Sequence, residues 1–371
     1  MKILSVFGTR PEAVKMAPVV KLLAQTAGIE SRVCVTAQHR HMLDQVLNLF
    51  EIKPDYDLDL MRVDQSLAQL SAAIFTHLDP VLEDFKPDWV LAQGDTTTVA
   101  ITSLLAYYHR IKFGHVEAGL RTHDKWQPFP EEINRRIAGV TADLHFAPTE
   151  WSRQNLLREG IADEIIKVTG NTVIDALQFV SMQAEPIEIT QLTTRLLPRN
   201  DIKKIILVTA HRRENFGSPM ENICRALLEL AKRGDVEIVY PVHLNPNVQE
   251  PVNRLLKDVE HITLLPPLDY LPLVHLMKHA ALILTDSGGI QEEAPAFGIP
   301  TLVLRNVTER PEGVDAGTLK LVGTETSSIV QEAKRLLDDE FAHTEMAKAV
   351  NPYGDGHAAE NIVQALSSRD K

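Results

Sequence analysis

Leu282–Gly298 reads LILTDSGGIQEEAPAFG. An apolar run, Ala281–Leu284, stops at Thr285-Asp286-Ser287. A Gly-Gly pair follows, and then Ile290–Phe297 has helix-forming composition with acids at Glu292 and Glu293. The pattern predicts a strand, a tight turn and a helix N-terminus. Gly288 and Gly289 let the backbone come close to a ligand, and the first amides of a helix point outward from the positive end of its dipole. A phosphate or pyrophosphate is the natural occupant of such a turn. The spacing is neither GxGxxG nor GxxxxGK(S/T), so neither the dinucleotide fingerprint nor the P-loop applies. A plain strand-to-helix turn capped by Ser287 would read the same way.

The rhythm of that stretch recurs along the whole chain. Short β-branched runs at Lys2–Phe7, Ser31–Thr36, Asp88–Ala92, Ile111–His115 and Leu144–Ala147 alternate with helical patterns at Pro11–Gln25, His39–Phe50, Leu67–Phe85, Thr96–Tyr108, Glu131–Thr141 and Thr149–Arg158. Around Gly170–Asp201 the pattern loosens, with Pro186, a Thr-rich patch and Pro198, and this reads as the domain connection. It then restarts, with strands predicted at Lys204–Thr209, Glu237–Pro241, Ile262–Leu265 and Thr301–Leu304. Helices are predicted at Met220–Lys232, Val248–Leu256, Leu271–His279, Ser327–Leu337 and His357–Leu366. Such alternation predicts an α/β protein of two doubly wound domains facing each other across a cleft. Ligands of open α/β sheets bind beyond the carboxyl ends of the strands, so the turns there should line one crevice.

Bulk properties narrow the function. At 371 residues the chain is too long for one typical core, and an apolar share of 44% with 24% charged residues is that of a soluble globular protein. The 38 basic residues against 50 acidic ones leave a formal charge of −12, which disfavours a nucleic-acid surface. An anionic ligand must therefore be met by local cations and helix ends. Cys34 and Cys224 lack metal or redox spacing and read as buried free thiols, which suits a reducing cytoplasm. No apolar run is long enough to span a bilayer, and Ile3–Phe7 is too short for a signal peptide, so no membrane role is expected.

Chemistry-bearing residues cluster where strands end. Arg10 lies at the first strand-to-helix turn with Lys15 one helical turn later, and two cations there suit a diphosphate. Asp95 follows Gln93-Gly94, although it also reads as the N-cap of the Thr96–Tyr108 helix. Glu131 follows Pro130 as a first-turn acid. Glu117, in His115-Val116-Glu117-Ala118-Gly119, has no helix to cap. Acids gathered at one crevice are candidates for general acid and base work. In the second half His211 follows a strand with Arg212 and Arg213 beside it, but there is no HExxH motif, and His41, His243 and His275 show no ligand spacing. No metal is indicated. Tyr108-His109-Arg110-Ile111-Lys112 has YxxxK spacing without the glycine-rich turn of a dehydrogenase.

Together FGTRPEA, TAQHRHMLDQVL, GDTTT, HVEAGLRT, PEEINRR, TGNTVIDAL, TAHRREN, YPVHLNPNV, LTDSGGIQEEAP, TERPE and NPYGDG resemble the bacterial non-hydrolysing UDP-N-acetylglucosamine 2-epimerases, from Lys2 to about Gly356. The resemblance implies a GT-B fold: a Rossmann-like domain over residues 1–170 with the helix at 357–371 packing back on it, and a UDP-binding Rossmann-like domain over 171–356. It implies a cytoplasmic homodimer that needs no cofactor and interconverts UDP-GlcNAc and UDP-ManNAc for cell-surface polysaccharide. By matched motif, Asp95, Glu117 and Glu131 resemble the catalytic acids. Arg10, Lys15 and His211 resemble diphosphate and sugar contacts, with His211 also counted among the catalytic groups. Ser287, Gly288 and Gly289 resemble a phosphate cradle, Glu293 the acid on the ribose hydroxyls, and Arg310 a further nucleotide contact. Leu268 and Leu273 flank the uracil position. Some relatives bind a second UDP-GlcNAc as an activator, and Gln38, His39 and His243 match that region. His41 and Asp64, however, stand where such relatives carry Gln and Arg, and an acid in place of a phosphate-facing cation weakens anion binding. The competing function on the same fold is a GT-B glycosyltransferase using a UDP-sugar. Three carboxylates around one sugar favour the epimerase, because a transferase usually needs one base.

Overall fold

Both halves of the chain follow one rule: a short apolar strand, a turn, and a helix that returns over the sheet so that the next strand runs parallel. The structure, a computed structural model, describes residues 1–37, 40–60, 62, 64–197 and 203–368, with the backbone alone for Arg40, His41 and Met42. The chain divides into two units, Met1–Gln178 with Tyr353–Lys371, and Phe179–Pro352.

The first unit holds β1 (Lys2–Phe7), β2 (Glu30–Val35), β3 (Tyr56–Asp57), β4 (Trp89–Gln93), β5 (Lys112–Val116), β6 (Leu144–Ala147) and β7 (Ile166–Val168), in the order β3-β2-β1-β4-β5-β6-β7. The second holds β8 (Lys204–Thr209), β9 (Val236–Pro241), β10 (Ile262–Leu265), β11 (Ala280–Thr285), β12 (Thr301–Val303) and β13 (Leu319–Leu321), in the order β10-β9-β8-β11-β12-β13. Among the described residues, every pairing between these strands is parallel. In each sheet the order reverses beside the unit's first strand, between β1 and β4 and between β8 and β11. These are topological switch points, where crossovers leave on opposite sides and open a crevice at the strands' carboxyl ends.

Strands covered on both faces must be apolar throughout. β4 is buried at every position, and Leu4, Val6, Val90 and Ala92 pack with Leu78, Leu82, Phe85 and Val99 from the helices Leu67–Phe85 and Thr97–Tyr108. The second core is built alike, from Ile206, Val208, Leu282 and Leu284 against Ile223, Leu227, Leu230, Ile329 and Leu336. At the head of β1 the packing leaves no room for a side chain: a Cβ on Gly8 would overlap Thr36 Oγ1, itself bonded to Thr98 Oγ1 at 3.0 Å.

The predicted strands Lys2–Phe7, Leu144–Ala147, Lys204–Thr209 and Ile262–Leu265 coincide with β1, β6, β8 and β10. The connection around Gly170–Asp201 does not stay irregular, because it forms the helices Thr172–Ser181 and Ile187–Leu196. Pro186 sits at the N-cap, where its missing N–H costs nothing, and Ile189, Leu192, Thr193 and Leu196 form a buried face at helical spacing. Threonine content hid that face. Pro198 lies outside the described residues. Two plainer alternatives, helix caps at Asp95 and Ser287, do not hold. The Thr97–Tyr108 helix is capped by Thr96 Oγ1 and not by Asp95, and Ser287 makes no side-chain cap bond to the Gly288–Glu293 helix. That helix gives way to a 3-10 turn, Ala294–Phe297, ended by Gly298.

The helix Ala358–Ser367 packs on the helix Arg10–Gln25 of the same unit. Its first amides, Ala358 N and Ala359 N, donate to the Asp175 carboxylate at 3.2 and 2.8 Å. Among the described residues, no helix is long and apolar enough to cross a membrane.

Candidate active site

In the first unit the polar groups gather beyond β1, β4 and β5. The β1 turn is fixed by a capping box: Thr9 caps the Arg10–Gln25 helix, and Glu12 Oε2 accepts from Gly8 N at 3.0 Å and Thr9 N at 2.7 Å. Glu12 is buried, which pushes its carboxyl up, and its Oε1 accepts from Thr96 Oγ1 at 2.6 Å. One carboxylate thus ties the turn that carries Arg10 to the turn that carries Asp95. Arg10 is the first residue of the helix and stays partly exposed.

Register decides which acids lie on neighbouring turns. Gln93 pairs with Val116 across β4 and β5, so Asp95 and Glu117 each lie two or fewer residues beyond neighbouring strand ends. Glu117 is buried and has φ +61°, a left-handed conformation that a non-glycine residue holds only when its surroundings demand it. The surroundings here are three donors: the Lys15 ammonium, the Gln93 side-chain amide, and Asn171 Nδ2 at 3.0 Å. Asn171 is itself fixed, since Oδ1 accepts from Val173 N at 3.1 Å and its own N–H donates to Tyr353 O at 2.7 Å. Asp95 is held from the Glu131–Thr141 helix, with Arg135 Nε and Nη2 at 2.9 and 2.7 Å from Oδ2 and Asn134 Nδ2 on its carbonyl at 2.9 Å. Glu131, half-buried, opens that helix. Its neighbour Glu132 is fully buried and accepts from Thr122 N, His123 N and Arg135 Nη1 at 3.1, 3.2 and 3.2 Å.

Beneath these turns His115 and His145 face each other in the β5–β6 register. Burial lowers them to about 4 and about 3, so both are neutral. His115 Nε2 therefore carries the proton it donates to Gly94 O, at 2.7 Å, one residue before Asp95.

The second unit gathers its groups at β8 and β11. Thr209 Oγ1 and Thr285 Oγ1 lie 2.6 Å apart, and Ser287 N donates to Thr285 Oγ1 at 3.0 Å. A Cβ on Gly288 would stand 3.4 Å from both Arg212 Nη2 and Arg310 Cζ, so two guanidiniums flank that glycine. Arg310 is buried, and Nε and Nη2 meet Glu292 Oε1 at 2.8 and 2.7 Å. Glu293 is buried with Oε1 beside Gly289. His211 is partly exposed, and its ring stacks on His243 with centroids 5.2 Å apart and 12° between planes. Leu268 and Leu273 are half-buried, the latter in the helix Tyr270–Lys278.

His211, Ser287, Gly288, Gly289, Glu293 and Arg310 thus share the head of one sheet, and Arg10, Lys15, Asp95, Glu117 and Glu131 that of the other. Gln38 and His39 lie outside the described residues. Sequence reading assigned no role to Gln93, Asn171, Glu132 or Arg135 in the first unit, nor to Asp286 in the second, and marked Arg212 only as a cation beside His211. The available signal was a polar residue ending an apolar strand, as at Gln93 and Asp286. Among the described residues, no group of three His, Cys, Asp or Glu side chains is placed to hold a metal ion. The first unit thus offers cation-held carboxylates, as acid–base chemistry requires, and the second offers a backbone turn flanked by arginines, which suits a phosphate.

Residues 21–367 match the family model described as UDP-N-acetylglucosamine 2-epimerase. A Yersinia pestis UDP-N-acetylglucosamine 2-epimerase is 60% identical over 371 residues, covering 99% of both chains. The Neisseria meningitidis UDP-GlcNAc 2-epimerase solved bound to UDP-GlcNAc is 52% identical, with a TM-score of 0.91 over 99% of this chain and 100% of that one. The Methanocaldococcus jannaschii enzyme, solved with UDP-GlcNAc and UDP, is 32% identical at a TM-score of 0.81, over 99% and 100%. Two Rossmann-like units in this order give an α/β, GT-B-like fold.

Proposed function

The chain belongs to the UDP-N-acetylglucosamine 2-epimerase family, and from that premise we propose how it interconverts UDP-GlcNAc and UDP-ManNAc. The hydrogen at C2 of the sugar is not adjacent to a carbonyl, so its removal alone would leave an unstabilised carbanion. Elimination avoids this. A base takes the C2 proton while the C1–O bond breaks with its electron pair kept by UDP, leaving 2-acetamidoglucal. A proton then returns to C2 on the opposite face and UDP re-adds at C1. The α-linked UDP and the C2 hydrogen of the gluco isomer are trans-diaxial, which favours anti elimination.

In this reading Asp95, Glu117 and Glu131 supply the acid and base groups, and Arg10, Lys15 and His211 meet the diphosphate and sugar. The Ser287–Gly289 turn with Arg212 and Arg310 holds phosphate, Glu293 the ribose hydroxyls, and Leu268 and Leu273 the uracil. The observation that carries the reading is that β4 and β5, neighbours in one sheet, end in two carboxylates each held by a cationic side chain, Asp95 by the buried Arg135 and Glu117 by the half-buried Lys15. A transferase would need one such acid.

Incubation with UDP-GlcNAc in deuterium oxide tests it. Deuterium at C2 together with UDP-ManNAc is expected. Acceptor-dependent UDP release without C2 exchange would instead make the chain a glycosyltransferase. We also infer a homodimer supplying ManNAc units for polysaccharide; exposed Tyr107, Tyr108 and Val140 on two adjacent helices support the association, and sedimentation velocity tests it.

A further inference from the structure

Asp286, at the head of β11, is fully buried, yet its two oxygens are treated unequally. Oδ2 accepts three hydrogen bonds, from His211 N and Arg212 N at 2.8 Å each and from Asn215 Nδ2 at 2.9 Å. Oδ1 has no hydrogen-bond partner among the described residues, and His211 Nδ1 lies 3.7 Å from it. Bracing the β8 turn explains only Oδ2, because the single oxygen of an asparagine would accept the same three donors. A buried carboxylate oxygen without a donor is costly, and what needs explaining is why a carboxylate stands there. The imidazole is the group that answers it. His211 is 39% exposed at the side chain, so its ring has room to turn, and a small rotation shortens 3.7 Å to a hydrogen bond of about 2.8 Å. The other face of the ring is fixed by His243, whose Nδ1 accepts from Asn245 N at 3.1 Å.

We propose that Asp286 is a positioning residue for His211: Oδ1 accepts from Nδ1, which becomes the permanently protonated nitrogen, and Nε2 becomes the one that gains and loses a proton toward the bound diphosphate. This deepens the reading above, in which His211 meets the diphosphate, and rests on it. When UDP departs, the electron pair of the broken C1–O bond stays on the β-phosphate oxygen. The Nε2–H of the imidazolium then donates to that oxygen while Nδ1–H stays on Asp286. On re-addition the oxygen returns that proton to Nε2 as it attacks C1. A histidine whose tautomer was left free would present the wrong nitrogen part of the time.

The test is Asp286→Asn in protein labelled with 15N-histidine, with His211→Asn identifying the His211 resonances. The asparagine oxygen keeps the three turn donors, and its NH2 group now donates to Nδ1 and forces the proton onto Nε2. Nitrogen shifts of neutral His211 should report Nδ1–H in the wild type and Nε2–H in Asp286→Asn. The variant's kcat should fall about 100-fold or more while KM stays within about 3-fold, as for other tautomer-inverting changes at a carboxylate–imidazole pair. A wild-type His211 found as Nε2–H overturns the proposal, and that measurement stands even if the variant does not fold. An unchanged tautomer in a folded variant overturns it too. If the tautomer inverts as expected but His211→Asn retains full turnover, the pairing is supported and the assignment of His211 to the reaction is what fails.

Discussion

Arg135 grips Asp95 with two nitrogens, Nε at 2.9 Å and Nη2 at 2.7 Å, and turns its third, Nη1, to the buried Glu132 at 3.2 Å. The guanidinium is a planar fork and presents these donors in fixed directions, which a lysine ammonium cannot copy. Arg135→Lys should therefore lower kcat by about 10- to 100-fold, with the protein still folded, because Asp95 loses its orientation and not its charge. Steady-state rates with circular dichroism check it; wild-type kcat in Arg135→Lys would show that the grip has no catalytic consequence.

Removing the acids themselves separates chemistry from binding. Asp95→Asn and Glu117→Gln should abolish turnover while UDP affinity stays within about an order of magnitude, since groups that move protons act on the transition state more than on the ground state. Isothermal titration with UDP beside the rate assay distinguishes the two. Asn171→Ala is the milder case. It removes one of three donors to Glu117 and should cost about 10-fold in kcat, and a rate above half the wild-type value would reduce Asn171 to a structural residue.

Gly288 makes the phosphate turn testable by one methyl group. A Cβ there fits only at 3.4 Å from Arg212 and Arg310, and it would occupy the space in which backbone amides approach an anion. Gly288→Ala should weaken UDP by about 10-fold or more with Tm within a few degrees of the wild type, a change of roughly 1.4 kcal/mol in binding. Undiminished UDP affinity in the folded variant would move the phosphates elsewhere.

What the sequence revealed of the two sheet heads follows from where polar letters interrupt apolar ones. Strand ends were legible because a buried parallel strand is a continuous apolar run, so the turns carrying Arg10, Asp95, Glu117 and His211 stood out. Asn171 was not legible. Its contact with Glu117 spans 54 positions, and in Thr169-Gly170-Asn171-Thr172 it looks like an ordinary turn residue. Asp286 sits just before the Gly288-Gly289 turn yet gives no hint of the three donors it collects from the turn after β8, because strand order is invisible to local pattern. Glu131 and Glu132 show the same limit. Adjacent identical letters differ by about 100° around a helix, and only the fold says that Glu132 is the buried one bonded to Arg135.

Burial of the paired histidines sets a dependence of stability on acid. His145 is fully buried, neither ring nitrogen has a hydrogen-bond partner among the described residues, and burial lowers it from 6.5 to about 3. Its folded value lies below its unfolded one, so the unfolded chain binds a proton that the native protein refuses. The contribution is complete above about pH 6.5 and is lost progressively as the pH falls toward 3, at about 1.4 kcal/mol per pH unit. Glu12 and Asp175, which burial pushes up, act in the opposite sense at the acid end, so the wild-type curve alone is a mixture. His145→Leu isolates the histidine: whatever its stability at pH 7.5, it should gain on the wild type by about 1.4 kcal/mol for each unit between pH 6 and 4.5. Urea unfolding of both proteins at pH 7.5, 6, 5 and 4.5 measures the difference, and parallel curves would mean that His145 takes up its proton in the native state.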